Sequence, residues 1–556
     1  MGAPTTTDVP VKETHGSENS EKIERVPSTK EQHATPASEE ADPEERVTAK
    51  AWLTVAAPLL ERFGDTQLSA WVVPCITTAA SITILLFGAN SDLFGRRPFL
   101  LFSNLINAVG YAVIATAKTP GQLLAGLCLN GCGSGTAGVA LIACPELLPN
   151  KYRHIGVVMA DGFVYIMIII GPVVGRAAVN HSDDRWKYIY WAGFIISCVA
   201  GLGLGFFYFP PKHPRGVPWR DALRGLDWVG GLLFTPGAVM VLASDARVIA
   251  CLTVGFVLIV AFGLWERFSG VKYPLCPNEI FVSHWGREFT APFCLSFIVV
   301  GFFYGLAVIY PTMLNDFYID ANTSVSEQML LTLPPNLGLP FGAALLTIFG
   351  NKIGHWRWTL IASVFSLVLW GSLMAMITPD NKGLMIAFVF LGQTSYGWAA
   401  YLAVTFTQLG VPQTMLGISG GLAGLARYAG GAVASACYSS AIGNGVTSKG
   451  AELIPKAALN AGLPSSSLGQ LMKAVPQGAA AISAVPGVTP QIAQAVNTAY
   501  KYAAAFGLRN AALASLAFGV VGIALAVACE DITPKMTPKI EIFLENDALA
   551  DKNKFH

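Results

Sequence analysis

Long apolar runs separated by short polar breaks fill the chain from residue 70 onward. A helix needs about 20 apolar residues to cross the hydrocarbon of a bilayer. Runs near that length fall at 70–89, 98–117, 121–143, 154–175, 188–209, 228–243, 247–265, 290–314, 328–350, 358–377, 384–406, 419–442 and 510–528. The pattern predicts thirteen membrane-spanning helices. A further run, "AWLTVAAPLL" at 51–60, is too brief to cross, and the run at 228–243 is short, with only Ser244, Asp245 and Ala246 before the next. Residues 1–46 are polar and rich in Glu, Thr, Ser and Pro, which reads as a disordered tail rather than a cleaved leader. Residues 443–503 carry alanine-rich patches broken by Gly and Pro. They predict an outer loop of short amphipathic helices, either a cap over the mouth or a tethered linker.

Composition agrees with a membrane protein. Of 556 residues, 53% are hydrophobic and 13% charged, where soluble domains carry about 25% charged residues. The net charge of +1 gives no broad basic surface, which argues against nucleic acid as a partner. The ten cysteines sit mostly inside apolar runs without a C-x-x-C pair, and read as small hydrophobes rather than metal ligands or disulfides. No catalytic triad, nucleotide loop or metal cluster stands out: neither an enzyme nor a bound cofactor is expected. "GCGSGTAG" (131–138) lacks a following Lys-Ser/Thr and reads as helix packing instead.

Orientation follows from the Lys and Arg bias of short loops. Placing the break after 70–89 on the cytoplasmic side puts Arg96, Arg97, Lys151, Arg153, Lys212, Arg215, Arg220, Arg224, Arg267, Lys272, Arg287, Lys352 and Arg357 inside, against Lys118, Arg176, Arg185, Lys187, Arg247 and Lys382 outside. The glycosylation sequons at Asn180 and Asn322 then both fall outside.

Chemistry concentrates at a few positions. The break "FGANSDLFGRRPFLL" (87–101) packs Asp92, Arg96 and Arg97 between two apolar runs, with Gly88 and Gly95 flanking them. A weak echo, "FGNKIGHWRW" (349–358), keeps the bases and lacks the acid. Inside the runs, Asp161 and Arg427 stand about 10–12 Å from the same face, and a centred charge costs a few kcal/mol. They either titrate protons or bind substrate, or form a plain helix-to-helix ion pair. Asn130, Asn336 and Gln393 are candidate polar groups that contact either substrate or neighbouring helices. Gly171, Pro172 and Gly175 predict a kinked, closely packed helix, either a pivot or seal or ordinary glycine-rich membrane packing.

The G-x-x-x-D-x-x-G-R-R spacing of Gly88, Asp92, Gly95, Arg96 and Arg97 resembles the hinge motif between the second and third spans of major facilitator superfamily transporters. "ELLPNKYRHIG" (146–156), "RWKYIYW" (185–191), "FFYFPPKHPRG" (206–216), "LDWVGGLLF" (226–234), "VAFGLWE" (260–266) and "GISGGLAGLARYAGGAVA" (417–434) are similar to the fungal trichothecene efflux pump family, which includes siderophore transporters. The resemblance implies an all-α integral membrane fold of two six-helix bundles plus two extra central spans, with the first span here apparently truncated. It also implies an organisation: a cytoplasmic tail 1–46, an N-terminal bundle 47–209, a linker and two extra spans 210–265, a C-terminal bundle 266–442, the loop 443–503, a last span 504–529 and a tail 530–556.

By the same resemblance, Asp92 sits near the cytoplasmic start of the helix at 419–442, and Arg96 or Arg97 reaches Glu146. Arg176 stands where the antiporter signature around Gly171 and Gly175 has its last glycine. Leu127 stands where many proton-linked members have an arginine. The implied activity is export of small amphipathic molecules in exchange for protons, at the plasma membrane or alternatively a vacuolar or vesicle membrane. Siderophore uptake, and a non-transporting receptor or inactive truncated product, are the alternatives. The partners are then the lipid bilayer, a small-molecule substrate and protons.

Overall fold

The structure is a computed structural model of the chain. It describes residues 72–162, 165–166, 169–171, 174, 186–210, 218–242, 249–319, 323–475 and 478–544. The tail 1–46, the run at 51–60 with the shortened first span, Pro172, Gly175, Asn180 and Asn322 all lie outside the described residues.

The described residues are helical, with a single isolated bridge, Leu226 to Tyr273, in place of sheet. Helix α1 (Val72–Phe94) and α2 (Arg96–Ala115) meet at Gly95, whose φ of 86° is a conformation that side chains with a Cβ rarely adopt. Thr119 caps α3 (Pro120–Ala137), its hydroxyl accepting from Gln122 N, with Pro120 preset for the first turn. After one irregular turn the chain continues as α4 (Ala140–Glu146) and then α5 (Arg153–Ala160). Helix α6 (Trp186–Phe207) packs on α2, and α1 and α2 both pack on α3.

The short α7 (Trp219–Arg224) leads to a hairpin of α8 (Trp228–Leu242) and α9 (Ile249–Phe268), which leans on α1. After the small α10 (Asn278–Val282), a second group follows: α11 (Thr290–Met313), α12 (Val325–Ile353), α13 (Trp356–Leu373), α14 (Lys382–Leu409) and α15 (Leu416–Asn460). Two short helices, α16 (Leu468–Ala474) and α17 (Ala479–Ser483), precede the last long helix, α18 (Pro490–Ala528). Its core runs through Leu295, Val299, Leu346, Leu360, Val364, Leu402 and Phe406.

Nine helices among the described residues are long and apolar enough to cross a membrane. Four of the thirteen predicted runs are missing from that set. The run 154–175 is described only in part, α5 ending at Ala160 with a turn at Asp161. The run 228–243 yields only the 15 residues of α8. Helices α14 and α15 fall short of the required apolarity because their inward faces carry glycine, serine, threonine and glutamine, most of them buried against protein rather than lipid.

The segment 443–503 differs from its expectation. Instead of a loop of short helices, α15 runs unbroken to Asn460 and α18 starts at Pro490, leaving among the described residues a 3-10 turn (Ser465–Ser467), α16 and α17 as short pieces between them. Gly445 and Gly507 let the two backbones touch, a Cβ on Gly445 coming within 2.6 Å of Gly507 Cα. Ile454, Ala458, Leu471, Ile492 and Val496 bury a core of their own around this extension. Burial overrides the helix-breaking composition.

The weak echo at 349–358 has a structural counterpart. Arg97, at the start of α2, donates to Gly205 O near the end of α6, and Arg357, at the start of α13, donates to Val527 O near the end of α18. In both groups an arginine caps the exposed carbonyls of the last helix, where a cation is favoured.

Candidate functional site

The break between α1 and α2 closes on the start of α15. Asp92 accepts from Gly417 N at 2.8 Å and from Ile418 N at 3.1 Å, so its carboxylate satisfies two of the unpaired donors that open the helix. Arg96 binds Asp92 Oδ1 at 2.7 Å and grips Glu146 with two nitrogens, Nη2 to Oε1 at 2.7 Å and Nε to Oε2 at 3.3 Å. Asp92, Arg96 and Glu146 are each no more than 3% exposed. Two acids thus meet one arginine and the positive end of a helix, a nearly balanced set of buried charges.

Close approach makes this possible. A Cβ on Gly88 would stand 2.7 Å from Gly421 Cα, and one on Gly417 would strike Gly88 O, Asp92 and Arg96. Arg97 does not join the cluster: besides bonding Gly205 O, its guanidinium lies over the Phe209 ring. Two members were not singled out as site residues from the sequence. Gln413 donates to Glu146 Oε1 at 3.1 Å, and Arg153 donates to Gln413 Oε1 at 3.3 Å.

Deeper along α15, about 15 Å beyond Gly417 at the helical rise, Arg427 Nη2 lies 3.3 Å from Asp161 Oδ2. Tyr401 OH of α14 donates to the same oxygen at 3.1 Å. Asp161 comes from the first group of helices, Tyr401 and Arg427 from the second, so the pair bridges them. The ring of Tyr165 stands edge-on to Tyr401, and Tyr396, Tyr401 and Tyr428 are within electrostatic reach of Arg427. The tyrosines carried no signal of their own in the sequence. Arg427 and Asp161 keep 26% and 15% of their side-chain surfaces open, against 4% and 2% for Arg96 and Glu146. The deeper pair is reachable and the hinge cluster is sealed.

The remaining candidates separate. Asn130 is buried against α2, a Cβ on Gly110 coming within 2.5 Å of its Oδ1; it faces a helix interface, not an open space. Asn336 bonds Thr332 O within its own helix and lines a small cavity with Tyr310, Asn315 and Pro335. Gln393 is 1% exposed, and neither polar atom of its side chain has a partner among the described residues. Gly171 is helical.

For a metal, the described residues offer His284, Glu288 and Glu530, whose donor atoms lie within 4.8 Å of one another, although no cluster was expected from the spacing of these residues. Lys535 already holds Glu288 Oε1 at 2.7 Å, and His284 bonds Glu530 at 2.8 Å, so the group is a satisfied ion-pair set as it stands.

Comparison with known proteins gives a consistent result. The family profile of the fungal trichothecene efflux pump (TRI12) matches residues 48–555. The chain is 38% identical over 535 residues to the MFS-type transporter prx5 of Penicillium rubens, covering 92% of this chain and 96% of that one. It is 25% identical over 500 residues to the trichothecene efflux pump TRI12 of Fusarium sporotrichioides, covering 87% and 83%. Among solved structures, the human organic anion transporter MFSD10 aligns with a TM-score of 0.47 at 15% identity, over 85% of this chain and 88% of that one.

Proposed function

The chain belongs to the fungal trichothecene efflux pump family of major facilitator transporters, and from that premise we propose that it exports small amphipathic molecules in exchange for protons. It is a multi-pass membrane efflux transporter; the substrate class and the coupling ion are the proposal. The observation that carries the proposal is the bridge of Asp161, Arg427 and Tyr401. A carboxylate held by an arginine across two bundles loses that bond when it takes up a proton, so one group can both bind the coupling ion and release a closed interface. The surrounding tyrosines suit an amphipathic guest, offering flat apolar faces and hydroxyl tips.

The cycle follows in outline. With Asp161 charged, the pair and the hinge cluster hold the hinge-bearing face closed. Protonation frees Arg427, that face opens, and substrate enters between the bundles. Asn336 and Gln393 are proposed as further polar contacts, Gly171, Pro172 and Gly175 as a pivot, and Asn180 and Asn322 as glycosylation sites on the outer side. The plasma membrane is the proposed location.

Yeast lacking its own drug pumps and siderophore carriers tests this reading. Expression of the chain is expected to raise resistance to trichothecenes and related terpenoid toxins. Rescue of growth on ferric siderophores under iron starvation, without toxin resistance, would reverse the direction; neither effect from correctly inserted protein would favour a non-transporting role.

A further inference from the structure

The chain beyond α18 crosses from one bundle to the other on the hinge-bearing face. Near its start it is fixed to the second bundle: Glu530 N donates to Arg287 O, His284 bonds Glu530 at 2.8 Å, Lys535 binds Glu288 at 2.7 Å, and Ile532 is buried in the core with Met536 packed against it. Farther on it pairs with the segment that joins α4 to α5. Lys151 N donates to Thr537 O at 2.9 Å and Asn150 N to Lys539 O at 3.0 Å, while Asn150 Nδ2 donates to Glu541 Oε1 at 2.9 Å.

That segment is no neutral anchor. It lies between Glu146 and Arg153, the two residues that tie the hinge cluster to Gln413. It belongs to the first bundle, whereas the strap's other end belongs to the second. Lys535 and Thr537 are two residues apart, and two extended residues reach about 7 Å at most. The tether therefore has little slack: the bundles cannot separate on this face by more than a few ångströms while both ends stay bound.

Partial burial opposes charge on Glu541, but hydrogen bonds from Lys539 and Asn150 outweigh it and hold the carboxyl below the usual range. Glu288 is likewise held low, burial again being outweighed by Lys535 and Ser283. Both carboxylates stay charged at neutral pH, and their contribution to the strap is lost only as the pH falls below the ordinary carboxylate value.

We propose that residues 530–541 are a working part of the gate, a strap that holds the hinge-bearing face closed and must unpair from residues 150–151 whenever that face opens. Lys535 and Glu541 are its positioning residues. The inference rests on the alternating-access reading given above.

Amide hydrogen exchange on the full chain in lipid nanodiscs tests it, comparing the intact protein, a chain ending at Met536, and Glu541→Lys. In the intact protein the amides of Asn150 and Lys151 are expected to be protected. In the shortened chain they exchange about tenfold faster, the factor matching roughly 1.4 kcal/mol of lost backbone hydrogen bonding. The amides of Gly417 and Ile418, held by Asp92, also speed up. Glu541→Lys moves both pairs the same way by a smaller factor, and decides the matter if the shortened chain does not fold.

Unprotected 150–151 amides in the intact protein would overturn the docking. Faster exchange at 150–151 with none at 417–418 would overturn the bracing role. Toxin export in yeast with no exchange contrast would sink the strap alone, whereas an exchange contrast without any transport would sink the efflux reading and leave the strap standing.

Discussion

At the scale of single residues, the hinge cluster works because its charges are buried together. Removing one member of a buried ion pair costs about 3–5 kcal/mol, since the survivor keeps its desolvation penalty without its partner. Glu146→Lys, which sets a second cation beside Arg96, is expected to lower thermal stability in detergent and to abolish export. Glu146→Gln keeps an acceptor for Gln413 and Arg96 and should cost less on both counts. Export by Glu146→Lys at the intact protein's rate would remove the cluster from the gate. Asp92 and Arg96 were legible from motif spacing, Glu146 from the family resemblance, and the depth of Asp161 and Arg427 from counting along their runs. Gln413, Arg153 and Tyr401 were not, because each is an ordinary residue placed by contacts more than 230 positions distant in sequence.

At the scale of elements, the seam between α1 and α15 is made of glycines at contact distance. Small residues permit the close approach that helices in lipid use in place of a hydrophobic driving force. Gly421→Leu places a branched side chain where the backbone of α1 runs. The hinge-bearing face then cannot close, and export should fall at least about tenfold in inserted protein, the loss corresponding to roughly 1.4 kcal/mol or more. Normal export would show that the seam does not need to close.

Helix existence was readable from apolar runs. The extension of α15 to Asn460 was not, because Gly443, Gly445 and Pro455 look like breakers, and what offsets them is the contact of Gly445 with Gly507 and the buried core shared with α18. The echo between the two groups was faint in sequence for a related reason. What the two groups share is an arginine on the carbonyls of a distant helix end, at Gly205 and at Val527, rather than a string of matching residues.

At the scale of the molecule, composition and spacing were enough to read a multi-pass helical transporter. They gave no sign that the last dozen residues before 544 tie the bundles together, since "ITPKMTPKIEIF" is neither apolar enough to span nor patterned like a known motif. In the proposed gate, three layers hold one face shut: the strap at the surface, the hinge cluster beneath it, and the pair of Asp161 and Arg427 deeper still. In this scheme the deepest layer couples opening to a proton.

Purified protein in liposomes with a pH-sensitive dye trapped inside reports that coupling, with a trichothecene gradient imposed and proton flux recorded. Toxin-dependent proton movement in the intact protein, lost in correctly inserted Asp161→Asn, is the predicted result. Toxin movement without protons, or Asp161→Asn that moves both as the intact protein does, would contradict it.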